Sequence, residues 1–113
     1  MTKLIIYTDG GARGNPGPAA IGFVIGDKHY AETIGKTTNN VAEYTAVIFA
    51  LKKTKQLIGK EKAKETEIEI RSDSELLINQ QNGEYKIKEE DLKTLFIEIW
   101  NLKIDFELVK FKH

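Results

Sequence analysis

The 113-residue sequence has no cysteine, two prolines, one methionine and one tryptophan. The absence of cysteine rules out disulfides and thiolate metal sites. A metal ion here has to be held by oxygen, or by one of the two histidines, His29 and His113. No apolar run approaches the ~20 residues that a membrane-spanning helix needs, and no membrane partner is expected. Met1-Thr2-Lys3 runs straight into an apolar stretch without a signal-peptide pattern, so a cytoplasmic location is the default expectation. Charge of one sign is missing too. Lys plus Arg and Asp plus Glu number 17 each, for a formal net charge of zero, which argues against tight binding to a nucleic acid.

The apolar fraction of 41% is enough for one core, and the length suits a single domain over residues 1–113. Lysines are unevenly spread. Lys52, Lys53, Lys55, Lys60, Lys62 and Lys64 follow one predicted helix, and Lys86, Lys88 and Lys93 precede or open another. Solvated helix faces account for most of these, with local patches left to meet phosphates.

Hydrophobic period and turn residues divide the chain into eight elements. Leu4–Tyr7 reads as an apolar strand and the glycine-rich stretch 10–17 as a loop. Ile21, Phe23 and Ile25 alternate through a strand over 20–26, the turn Gly26-Asp27-Lys28 follows, and 29–34 reads as an antiparallel third strand. Thr38 or Asn39 can cap a helix in which Tyr44, Val47, Ile48 and Leu51 form one stripe and Ala42, Ala46 and Ala50 another. That helix is expected to fray after Gly59. A strand over 67–71, a short helix over 74–81 stopped by Asn82-Gly83, a helix over 89–102 and a strand over 106–111 complete the chain. Phe96 and Trp100 follow the spacing of that last helix's core side, and His29 reads as a surface strand residue. The order β-β-β-α-β-α-α-β predicts a mixed sheet in which the first, fourth and fifth strands run parallel.

Three carboxylates sit at element edges: Asp9 after the first strand, Glu43 in the first turns of the long helix, and Asp73 after the fourth strand. Singly, each has an ordinary reading. Asp9-Gly10 is a common turn pair, and Asp73 suits the start of a helix that Ser74 caps. Glu43 is harder to dismiss, because it sits beside Ala42 and Ala46 on an otherwise apolar helix, where an unpaired carboxylate is expensive. Brought together, the three need a counter-charge, and a hard divalent cation such as Mg²⁺ is the usual one.

The blocks around these acids resemble the type 1 ribonucleases H of the bacterial and archaeal branch. They are Thr8-Asp9-Gly10-Gly11-Ala12-Arg13-Gly14-Asn15-Pro16-Gly17-Pro18, Thr38-Asn39-Asn40-Val41-Ala42-Glu43 and Ser72-Asp73-Ser74, with Asn82 to Lys88 also similar. The resemblance implies an α/β, ribonuclease H-like mixed five-stranded sheet. It implies a metal-dependent endoribonuclease that cleaves the RNA strand of RNA–DNA hybrids with two Mg²⁺ ions, Mn²⁺ substituting. Carried over, Asp9 bridges both ions, Glu43 and Asp73 hold one, and His113 matches a loop histidine that assists proton transfer or product release. Asn39 and Asn40 read the minor groove, since amides can meet both a 2′-hydroxyl and a base edge. Gly10 and Gly11 admit a ribose, and Thr38, Lys36 and Lys88 match phosphate-gripping positions. Asn15 and Ser74 complete the implied substrate-binding set.

The family's last helix and fourth carboxylate lie beyond the point where this sequence stops. The expectation that follows is a C-terminally incomplete domain. Leu4 and Ile6 would face the helices, and Ile5 and Tyr7 an uncovered sheet face through which the chain forms a homodimer. Activity would be weak in Mg²⁺ and stronger in Mn²⁺. The alternatives are a catalytically weak hybrid- or duplex-binding domain and an incomplete subunit that needs a partner chain.

Overall fold

The computed structural model describes residues 2–113. Strands β1 (Thr2–Ala12), β2 (Gly17–Ile25) and β3 (Lys28–Thr37) lead into helix α1 (Asn39–Ile58) and the short α2 (Lys60–Ala63). Strand β4 (Thr66–Arg71), helices α3 (Glu75–Gln81) and α4 (Glu90–Lys103), and strand β5 (Leu108–Lys112) follow. The five strands form one sheet in the order β3-β2-β1-β4-β5. β1, β2 and β3 pair antiparallel, and β4 and β5 join parallel, as the element order predicts. No helix among the described residues is long and apolar enough to cross a membrane.

Alternation fixes which sheet face is covered. Ile6, Ile21, Phe23, Ile25, Ile68, Ile70, Val109 and Phe111 all point into the helix side and are buried. α1 lies across the sheet, and both of its predicted stripes are buried there, from Ala42 to Leu51. A branched or aromatic side chain taken out of water in this way contributes ~1.5–3 kcal/mol, so this layer dominates stability. On α4, Leu92 and Ile99 are buried, but Trp100 is not: it is 56% exposed beneath the Lys103 ammonium, 5.3 Å from its ring centroid. One residue beyond Ile99 is ~100° round the helix, enough to carry the indole off the core arc.

The structure corrects three boundaries. β1 continues through Gly10, Gly11 and Ala12, which pair with Ile21, Ala20 and Ala19, so the first three residues of the expected loop are strand. Thr38, not Asn39, is the cap, its hydroxyl accepting from the Val41 N–H at 3.2 Å. The chain does not fray after Gly59. Gly59 turns at φ 85°, α2 follows, Ala63 is fully buried, and the Thr66 hydroxyl donates to the Lys62 carbonyl at 2.7 Å. A glycine turn, one apolar anchor and a side-chain bond to a terminal carbonyl are sufficient to hold a single helical turn.

The opposite sheet face carries Ile5 half-buried, with Tyr7 50% and Leu108 43% exposed. Its centre is charged rather than apolar. Lys3 reaches Glu69 at 3.2 Å and Glu67 at 3.8 Å, Lys110 reaches Glu67 at 3.7 Å, and Arg71 Nε donates to Glu69 at 2.6 Å. Arg71 also donates to the Tyr7 hydroxyl at 3.1 Å and lies over its ring. Arg71 and Lys3 together hold Glu69 below the usual carboxylate range.

The close backbone approach between β1 and α1 is at Gly10. A Cβ there would fall 2.4 Å from the carbonyl carbon and oxygen of Ala42 and 2.7 Å from the Glu43 nitrogen, all backbone atoms. Gly11 has no neighbour closer than Asn39 Oδ1 at 3.8 Å. Gly10→Ala is therefore expected to cost ~1–3 kcal/mol or more, the range of an overpacked core. In thermal unfolding it should melt several degrees below wild type at ~4–8 °C per kcal/mol, while Gly11→Ala stays much closer to wild type. Equal melting temperatures for the two variants would refute the close approach.

Candidate active site

β1 and β4 run parallel with Tyr7 opposite Arg71, so Asp9 and Asp73, each two residues further on, lie beyond the same end of the β1–β4 pairing, Asp9 still paired with Gly22 of β2. The carboxyl edge of parallel strands is where α/β sheets place their sites. Asp9 and Asp73 are exposed and line a cleft of about 490 Å³ together with Tyr7, Arg71, His29 and His113. His113 Nε2 lies 3.1 Å from the Asp73 carbonyl oxygen and donates to it in the tautomer that carries its proton there.

Glu43 reaches this end of the sheet from α1. The contact that makes Gly10 necessary places the first turns of the helix against β1, and the Gly10 N–H donates to Glu43 Oε1 at 2.8 Å. Burial raises the pKa of Glu43. The Gly10 N–H opposes the rise, the charge of Asp9 adds to it, the nearby Ser74 hydroxyl lowers it, and the charge of Asp73 raises it further. Both predicted aspartates thus act on Glu43. They do not close into a ready-made cluster: among the described residues, no three His, Cys, Asp or Glu side chains are gathered as metal ligands. Like charges without a cation between them gain nothing by closing further, and Glu43 is held by a backbone amide instead. The donors fit a hard divalent cation, since all are carboxylate oxygens and the half-buried one lacks a counter-charge.

The second block forms a polar clasp beside the acids. Asn39 Oδ1 accepts from the Ala12 N–H at 2.8 Å, and Asn15 Oδ1 accepts from the Asn39 N–H at 3.0 Å, so the two asparagines tie the β1–β2 loop to the start of α1. Asn40 Nδ2 donates to Glu89 Oε1 at 3.3 Å. Ser74 caps α3, accepting from the Leu77 N–H at 3.2 Å, and its own N–H donates to the buried Ser72 hydroxyl at 3.0 Å. Lys36 near the end of β3 and Lys88 on the α3–α4 loop are exposed. Glu89, Arg71 and Tyr7 were not among the sequence candidates. Only the parity that Tyr7 shares with Asp9, and Arg71 with Asp73, hinted at the last two.

An RNase H family model matches residues 1–113, the whole chain. The chain belongs to the RNase H family. It is 40% identical over 97 residues to the Ribonuclease HI of Halobacterium salinarum, covering 80% of this chain and 46% of that protein. To the bifunctional protein Rv2228c of Mycobacterium tuberculosis it is 34% identical over 117 residues, covering 97% of this chain and 30% of that protein. It therefore spans less than half the length of either relative. A crystal structure of LC11-RNase H1 in complex with an RNA/DNA hybrid superposes with a TM-score of 0.89 at 46% identity, over 97% of this chain and 83% of that one. The mixed five-stranded sheet of this chain is the RNase H fold.

The raised pKa of Glu43 sets a pH dependence. A carboxyl with its folded pKa above the unfolded 4.5 favours folding when protonated. Its contribution is complete below that value and is lost as pH rises through the folded pKa. Glu43→Gln keeps an acceptor for the Gly10 N–H and carries no charge. In the absence of divalent ions it should unfold at a higher temperature than wild type at pH 7, with the gap closing as pH falls toward 4. A variant less stable than wild type at pH 7 would show that Glu43 is not strained by burial and its neighbours.

Proposed function

We propose that this chain hydrolyses the RNA strand of RNA–DNA hybrids, using divalent cations held by Asp9, Glu43 and Asp73. The observation that carries the proposal is that Asp9 and Asp73 line one cleft and their charges both act on Glu43, which the Gly10 contact holds at that end of the sheet. It is supported by the Halobacterium relative, named Ribonuclease HI, and by the LC11 enzyme, solved with an RNA/DNA hybrid.

Asp9 would serve both of two ions, and Glu43 and Asp73 would hold the one nearer the leaving group. When bound, divalent cations neutralise charge at the reacting phosphate and acidify water. Mg²⁺ is the proposed ion and Mn²⁺ a substitute. His113 shares the cleft of Asp9 and Asp73 and is the proposed proton carrier. Asn39 has its carbonyl committed to Ala12, so it offers its Nδ2 hydrogens to the minor groove. Asn40 has its Nδ2 directed to Glu89, so it offers its carbonyl oxygen. A donor and an acceptor side by side suit a 2′-hydroxyl and a base edge. Gly10 and Gly11 would meet a ribose. Thr38, Lys36 and Lys88 would hold DNA phosphates, and Asn15 and Ser74 would help shape the groove.

Self-association through the open sheet face is a weaker proposal than the β1 pattern suggested. The face satisfies its charges internally through Lys3, Glu67, Glu69, Arg71 and Lys110, which leaves Ile5, Tyr7 and Leu108 as its larger apolar contributors. Light scattering over a concentration series decides it: a mass fixed at 12.8 kDa excludes the homodimer.

The test of function is Asp9→Asn, assayed on hybrid, RNA duplex and DNA duplex with Mg²⁺ or Mn²⁺. The wild type should cleave only the RNA strand of the hybrid. The variant should lose cleavage and also lose the rise in melting temperature that either ion gives the wild type. Normal cleavage by the variant would remove Asp9 from the site.

A further inference from the structure

Gln80 belongs to none of the motifs above, yet it is only 5% exposed and makes two polar contacts. Its Oε1 accepts from the Tyr44 hydroxyl at 2.6 Å, and its Nε2 donates to the Lys86 carbonyl at 3.1 Å. Tyr44 adjoins Glu43 on α1 and is itself 1% exposed. Lys86 lies on the α3–α4 loop, so one buried amide joins that loop to the helix that carries the acid.

Over residues 86–88 the Gln80 bond is the one hydrogen bond that ties the loop among the described residues. A groove of about 420 Å³ lies between α3 and the loop, lined by Leu76, Gln80, Lys86 and Lys88 among others, and Ile87 between the two lysines is half-buried against the core. The loop's start is tied by Asn82 Nδ2, which donates to the Phe111 carbonyl at 3.2 Å, by the Glu84 and Tyr85 N–H groups on the Asn79 carbonyl and by the Tyr85 hydroxyl on Glu75 at 3.0 Å, and its end by Glu89, which accepts from Asn40 at 3.3 Å. The Glu89 tie puts the loop's end beside Asn40. Lys86 and Lys88 are both exposed, and neither makes an ion pair among the described residues.

We infer that Gln80 is a positioning residue for hybrid binding: it holds the α3–α4 loop against α1 so that Lys86 and Lys88 contact backbone phosphates beside the asparagines that read the groove. The inference rests on the hybrid-binding reading above and adds the arm and the residue that sets it. Exposed lysines without acid partners on a pinned backbone can each release condensed counterions on binding, whereas the same lysines on a free loop first pay the entropy of ordering.

The test is the affinity of the 113-residue chain for a labelled hybrid without divalent ions, measured by anisotropy at several salt concentrations. Lys86→Ala/Lys88→Ala should lower the slope of log K against log salt by about 1.8, at ~0.9 per phosphate contact. Gln80→Met should weaken binding and lower the slope in the same direction, and adding the lysine changes to Gln80→Met should then cost much less than they do alone. Amide exchange over 84–89 should be faster in Gln80→Met. Tyr44→Phe, which removes one hydroxyl, is the milder variant if Gln80→Met does not fold, and the same shift of smaller size is expected. A lower melting temperature with unchanged affinity and slope would reduce Gln80 to a packing role and overturn the inference. Fully additive losses would show that the lysines act independently of the clamp. Failure of the wild type to bind hybrid at any salt would sink the functional reading itself, a result that the variant comparison cannot mimic.

Discussion

The close contact between the Gly10 backbone and the first turns of α1 is the constraint on which the site depends. No side chain fits between Gly10 and the Ala42 carbonyl. Helix and strand therefore meet backbone to backbone, and the Gly10 N–H can reach the Glu43 carboxyl. Parallel pairing of β4 with β1 then adds Asp73 beside Asp9 without further adjustment. Three acids distant in sequence are brought to one end of the sheet by one helix–strand contact and one strand register. The core beneath, from Ile6 and Ile70 to Ala46 and Leu51, supplies the free energy that holds them against mutual repulsion.

The two sheet faces answer different demands. The helix side is apolar and gains stability from burial. The other side carries a chain of ion pairs from Lys110 through Glu67, Lys3 and Glu69 to Arg71, ending at Tyr7 on the rim of the acidic cleft. Partly exposed pairs contribute modestly to stability. Their clearer effect is to place a cation and a phenol at the edge of the cleft that holds Asp9 and Asp73.

Much of this was readable in the residues, for identifiable reasons. Alternation in β2 and the two apolar stripes of α1 report burial directly, so Ile21, Phe23, Tyr44 and Ala46 were placed correctly. Crossover logic gave the parallel direction of the first, fourth and fifth strands, and with it the shared end of Asp9 and Asp73. What stayed hidden depends on contacts across the chain. Gly10-Gly11-Ala12 looked like loop because glycine is poor in strands, yet β2 offers Ile21, Ala20 and Ala19 as partners. α2 was missed because Ala63 counts as apolar only once the pocket that buries it is known. Trp100 looked like core because position along a helix does not fix where the arc of contact ends. The ion pairs across β1, β4 and β5, and the Gln80 clamp, join residues many positions apart, and no local pattern announces them.

The account stands on Asp9, Glu43 and Asp73 forming one cation site. The most direct measurement is anomalous diffraction from crystals of this chain grown with Mn²⁺. The account predicts strong anomalous density within coordinating distance of Asp9 and Asp73, with the Glu43 carboxyl turned from the Gly10 amide toward it. Ordered Mn²⁺ only elsewhere on the chain, with Glu43 still bound to Gly10, would contradict it.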